Sequence, residues 1–165
     1  MRILFCICLS LVFLACSKND NIIANLKSQT LIHTQKAKFT YLNTNYIITL
    51  SFLSPVLDRY KDDDIFAIFI APNDFDISNL QVFINSNLVE IQPIEKDDEL
   101  LKYLIQNEYA KYYKFSAKNN AGETITAKIC SNIFTCFELS FQRYSKSLYY
   151  RSKDENTQYN LQEPF

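Results

Sequence analysis

Tyr113-Lys114-Phe115-Ser116-Ala117-Lys118 alternates large and polar side chains and then breaks at Asn119-Asn120-Ala121-Gly122. A period of two marks a strand with one buried face, and a cluster of Asn and Gly marks the turn that ends it. The spacing places Tyr113 and Phe115 inward, and Tyr112 and Lys114 outward. Beyond the turn, Ile125, Ala127 and Ile129 alternate with Thr124, Thr126 and Lys128, and Phe137, Leu139 and Phe141 alternate with Glu138, Ser140 and Gln142.

Upstream the pattern repeats. Lys38-Phe39-Thr40-Tyr41 alternates, and Asn43-Thr44-Asn45 is a turn signal. Tyr46, Ile48, Leu50 and Phe52 share one face, and Ser54-Pro55 ends that strand. Ile65 to Ala71 is a continuous apolar run that suits a central strand, broken by Pro72-Asn73-Asp74. Leu80, Val82 and Ile84 alternate, Asn85-Ser86-Asn87 turns, and Leu88-Val89-Glu90-Ile91 returns. One segment reads as a helix: Asp97 or Asp98 caps it, and Leu100, Leu101, Leu104 and Ile105 recur at helical spacing. Roughly seven to eight short strands predict an all-β chain, an antiparallel sandwich with one short helix before the sixth strand. The competing architecture is a sheet with a helix packed on it.

The stretch 113–122 resembles the sixth strand and following turn of fibronectin type III and related immunoglobulin-like domains, where Tyr-x-Φ-x-Ala-x-Asn-x-x-Gly recurs (Φ is apolar). The resemblance implies that Tyr113 is a tyrosine-corner residue, its hydroxyl bonding backbone upstream near the helical segment. It also implies that Gly122, the sole glycine, occupies a turn position with positive φ. Phe52-Leu53-Ser54-Pro55 looks like the end of the second strand of that superfamily. The expected immunoglobulin-like sandwich spans 36–144, followed by a polar C-terminal tail over 145–165.

The N-terminus reads as a targeting segment. Met1-Arg2 is followed by the apolar run Ile3–Leu14, too short to span a bilayer as a helix, which takes about 20 residues. Phe13-Leu14-Ala15-Cys16, followed by Ser17-Lys18-Asn19-Asp20, resembles the lipobox of bacterial lipoproteins. The resemblance implies cleavage of a signal peptide over 1–15, lipidation at Cys16 and a tether over 16–35. A short docked strand near Leu31 and Ile32 would fit within that tether. Each buried methylene of an acyl chain contributes about 0.8 kcal/mol, so several chains anchor a protein durably. Ser17 after the cysteine favours the outer membrane under the enteric sorting rule. Of the five cysteines, Cys6 and Cys8 leave with the signal and Cys16 takes lipid. Cys130 and Cys136 remain in an oxidising compartment, flanking a loop that sets them across adjacent strands, and are expected to form a disulfide.

Composition excludes several function classes. One glycine leaves no phosphate-cradling Gly-rich loop, one histidine leaves no paired-His zinc motif, and a net charge of −1 does not point to nucleic acid. His33 is a lone imidazole. Asp58, Asp62, Asp63 and Asp64, with Asp74 and Asp76 beyond the strand, read as solvated loop charges rather than a Ca²⁺ site, because about 23 Å of strand separates the two groups. Glu95, Asp97, Asp98 and Glu99 read as helix N-terminal charge. Tyr112 and Lys114 are the candidate interface residues, since exposed tyrosine is favoured at protein interfaces. The expected protein is a lipid-anchored envelope protein whose immunoglobulin-like domain binds a protein partner, with no catalytic residues, metal or cofactor. The alternatives are a structural or assembly lipoprotein of an outer-membrane or periplasmic complex, and a surface adhesin.

Overall fold

The computed structural model describes residues 22–57, 63–119 and 122–143. The signal segment, Cys16, Asp58, Asp62 and the 145–165 tail lie outside the described residues. A helix over 22–32, α1, leads into β1 (Thr34–Tyr41) and β2 (Thr44–Phe52). A single helical turn, α2 (Ser54–Leu57), precedes β3 (Asp63–Ala71). The hairpin β4 (Gln81–Ile84) and β5 (Asn87–Val89) follows, then the two-residue β6 (Gln92–Pro93) and β7 (Lys111–Lys118). The hairpin β8 (Thr124–Cys130) and β9 (Phe137–Gln142) completes the fold.

Two antiparallel sheets form, in the orders β1-β2-β3-β7-β6 and β5-β4-β8-β9. Taken from β2 onward, the strands occupy the A-B-E-D and C′-C-F-G places of the immunoglobulin fold. β1 is an additional strand outside A. The expected sandwich is therefore the observed one, with a different strand count. The segment carrying Tyr113 is the seventh strand, between β3 and β6, in the E place. The F place of the sixth-strand resemblance is held by β8. A local Tyr/Phe alternation before a polar turn fits either sheet; only pairing with β3, Phe66 opposite Phe115 and Ile68 opposite Tyr113, assigns it.

The inner faces meet in an aromatic core. Phe66 stacks between Phe52 (4.9 Å) and Phe115 (5.1 Å), and Phe141 from the other sheet meets Phe52 and Phe66 edge-on. At the opposite end of the sandwich, Phe39, Tyr46, Phe75, Phe134 and Phe137 form a second group of rings. Such ring pairs contribute about 0.5–1.5 kcal/mol each beyond the area they bury.

Two hairpins turn on two residues with positive φ, Leu42-Asn43 and Asn85-Ser86, the geometry that matches the right-handed twist of paired strands. These positive φ angles belong to no glycine. Asn85 fixes its turn by accepting from the Thr126 N–H at 2.9 Å.

Three other expectations change. Residues 22–32 are helical, so Leu31 and Ile32 lie on a helix end and not in a docked strand. Thr30 is buried, and its hydroxyl donates to the Leu26 carbonyl one helical turn back, in a segment whose polar composition reads as tether. The helix expected after Asp98 is a tighter 3₁₀ turn, Glu99–Tyr103, capped by the Asp98 carboxylate accepting from the Leu100 N–H. Asp64 is not a solvated loop charge. It occupies an inward-facing position of β3, 1% exposed, and takes two N–H bonds from the Arg143 guanidinium at 2.5 and 2.8 Å. Arg143 follows β9 on the inward face, so this pair ties the two sheets together at one end of the sandwich. Near the other end, Cys130 and Cys136 continue the β8–β9 register and form the expected disulfide.

Candidate functional site

The outer face of the five-stranded sheet carries its own small core. Leu53, Ala67 and Leu104 are buried there, packed against Leu57, Ile65, Ile94, Leu100, Leu101, Tyr103 and Tyr112. The segment between β6 and β7 lies across the sheet because its leucines have this surface to cover. Leu104 is 1% exposed.

Tyr112 and Lys114 do project to this outer face, but neither is left free. Tyr112 packs on Phe69 at 5.3 Å between ring centres. Its hydroxyl donates to the Ile105 carbonyl (3.1 Å) and accepts from the Asn107 N–H (2.6 Å). Burial pushes the Tyr112 phenol above its ordinary pKa, a shift opposed by the bond from Asn107. The tyrosine whose hydroxyl grips upstream backbone is therefore Tyr112, not Tyr113. Tyr113 points to the other face, against the main core, where burial first and the negative charge of Asp76 second raise its pKa. The two tyrosines are adjacent in sequence, and alternation sends them to opposite faces. Only the outward one reaches the segment above the sheet.

Lys114 donates to the Asp98 carboxylate at 2.5 Å. That bond, helped by the Leu100 N–H and the lysine charge, holds the Asp98 carboxyl below the usual range for aspartate. The pair lines a cleft of about 520 Å³. Leu57, Ile65, Leu100 and Tyr103 supply its apolar surface, and Glu90, Glu99 and Ser116 its polar rim. Asp98 is thus paired with Lys114, and Glu99 with Lys102 at 3.6 Å.

Beside this cleft β7 is only partly covered. β6 pairs with it at Gln92↔Lys114 and Pro93↔Tyr113, and the Ile94 N–H extends the contact to the Tyr112 carbonyl. Pro93 fits because an edge residue can lack its N–H on the solvent side. From Phe115 to Lys118, β7 pairs with β3 on one side and, among the described residues, with no strand on the other, although β5 lies in contact with β7. The proline within this two-residue strand was a readable sign of the edge. The carboxylates Glu90 and Glu99 had no sequence signal, because loops in different parts of the chain bring them together.

The remaining candidates are placed as follows. Asp76 caps the 3₁₀ turn Ile77–Asn79, and its bonds from the Ser78 N–H and hydroxyl lower its pKa. Asp74 lies beside the Tyr46 hydroxyl. His33 sits edge-on to Phe52, and burial lowers its pKa. Gly122 contributes its carbonyl, which accepts from Arg143 Nε at 3.1 Å. Among the described residues no group of His, Cys, Asp and Glu is arranged to hold a metal ion, and no helix is long and apolar enough to cross a membrane. No known family model, curated protein or solved structure matches this chain.

Proposed function

We propose that this chain is a lipid-anchored protein of the cell envelope whose immunoglobulin-like domain binds another protein without doing chemistry on it. One observation supports the binding role above the others. A partly uncovered strand, β7, runs beside a cleft with both apolar and charged walls. Unpaired strand edges template pairing with another chain, and natural proteins usually cover or blunt them. The envelope address rests on Cys16 and its surrounding residues. Attachment through acyl chains needs no membrane helix.

Two measurements test this reading. Cells fed radiolabelled palmitate incorporate label into the wild-type chain and not into Cys16→Ala. A photo-crosslinker at position 116 in the acylated protein captures a discrete protein partner, whereas one at Lys128, on the other sheet, does not. Absence of label removes the anchor, and equal capture from both positions removes the binding surface. Protease added to intact cells then distinguishes a surface-facing domain from a periplasmic one.

A further inference from the structure

We infer that α1 lies against the surface of the bilayer that holds Cys16, with Ile23 and Leu31 in the interfacial layer and Lys27 among anionic headgroups. This rests on the lipid-anchored reading and gives the anchored chain a second membrane contact, one that sets how the sandwich is held.

Nine large hydrophobic residues are exposed among the described residues, and four of them, Ile22, Ile23, Leu31 and Ile32, belong to this one helix. Apolar side chains scattered singly over a surface are ordinary, whereas a concentration of them marks a contact. Thr30 is buried and Leu26 half-buried, so that line of the helix is already covered. Ile23, Lys27 and Leu31 follow at intervals of four, which sets them in a second line beside it. Ile23 is 38% and Leu31 48% exposed, and Lys27 between them is half-buried. Ala24 and Ser28, each three residues before a member of this line, are small and exposed, so nothing bulky stands between it and a flat surface.

Reach and charge select a lipid surface as the occupant. Ile22 is the sixth residue after Cys16. An extended chain spans about 3.3–3.6 Å per residue, so the helix begins within roughly 20 Å of the anchor. At 1.5 Å per residue α1 is only about 16 Å long, which keeps its far end near the bilayer as well. Residues 22–57 hold Lys27, Lys36 and Lys38 and no aspartate or glutamate. The ion pairs of the described residues use Lys102, Lys114 and Arg143, and none of these three lysines. The acidic surplus of the chain therefore lies downstream of its anchored part. An apolar line interrupted by lysine suits an anionic interface, where the lysine stem lies along apolar surface and its ammonium reaches the headgroups. In a helix pair formed by two copies, Lys27 at the centre of the line would meet its own counterpart, and like charges oppose that contact.

The test uses the full acylated chain in vesicles of three parts phosphatidylethanolamine to one part phosphatidylglycerol, with acylation confirmed by mass. An environment-sensitive fluorophore is attached through Ile23→Cys, Leu31→Cys or, on the other sheet, Lys128→Cys. All three positions are exposed, so the fold is retained, and a native melting curve checks it. An interfacial helix sinks about 5–10 Å into the headgroup boundary, so the quencher is a lipid nitroxide close to the headgroup. Fluorescence at 23 and 31 is expected to fall at least twofold, and at 128 to stay unchanged. Lys27→Glu is expected to weaken the quenching at 23 and 31, and that difference to shrink when phosphatidylcholine replaces phosphatidylglycerol. Unquenched, solvent-like emission at 23 and 31 in acylated protein overturns the proposal and leaves the anchor standing. Equal quenching at all three positions overturns it too, since the bilayer then selects no face. So does shielding at 23 and 31 that disappears on dilution to one copy per vesicle, which assigns the helix to a second copy. Quenching indifferent to Lys27→Glu overturns the pairing with anionic headgroups. A chain without acyl mass removes the anchor and this inference together.

Discussion

Separating Asp64 from Arg143 should cost more than any surface substitution in this protein. Their side chains are 1% and 5% exposed, and the guanidinium makes two bonds to the carboxylate and one to the Gly122 carbonyl. Arg143→Ala leaves a buried carboxylate without its counter-charge. Removing one partner of a buried pair costs about 3–5 kcal/mol. With a urea m value of about 1–3 kcal/mol/M, that lowers the unfolding midpoint by roughly 2 M. Asp64→Ala should also be harmful, since it removes the carboxylate that takes two of the guanidinium's bonds. Replacing both together, Asp64→Leu with Arg143→Met, removes both desolvation costs. The double variant should recover at least about 2 kcal/mol relative to the sum of the singles. The assay is urea unfolding followed by circular dichroism, with the disulfide kept oxidised. A single substitution costing under about 1 kcal/mol, the value of an exposed pair, or strictly additive singles would refute the reasoning.

Four further outcomes follow from the same structure. Leu104→Ala empties the small core above the outer face and should cost about 2–5 kcal/mol by urea unfolding. Cys130→Ser with Cys136→Ser opens a loop closed at a sequence separation of 6 and should cost about 2 kcal/mol, matched by adding reductant to the wild type. Tyr112→Phe loses the bonds to Ile105 and Asn107 and should cost about 1 kcal/mol, while Tyr113→Phe should cost measurably less; the reverse order would restore the corner to Tyr113. In a pH series, the His33 pKa is depressed, so the unfolded chain binds the extra proton and stability falls as pH drops below 6.5; His33→Gln should remove that first decline. A second decline follows in acid, because Asp98 and Asp76 have depressed pKa values, contribute fully above 3.8 and lose that contribution as pH falls through their folded values; Asp98→Asn should flatten part of it.

The amino-acid sequence by itself determined the strands of this protein, because a period of two is a local property. Tyr46 to Phe52, Ile125 to Ile129 and Phe137 to Phe141 carry their buried faces in their own spacing. The cysteine pair was equally legible, since a short loop between adjacent strands limits where the two sulfurs can go. Tertiary structure alone decided which sheet each strand joins, and so which of two neighbouring tyrosines grips the backbone. It also decided that an aspartate in an acidic run is buried opposite an arginine 79 residues later. Pairing partners, buried counter-charges and uncovered edges depend on contacts between residues distant in the chain. Local patterning specifies which face a residue occupies, not what meets it there.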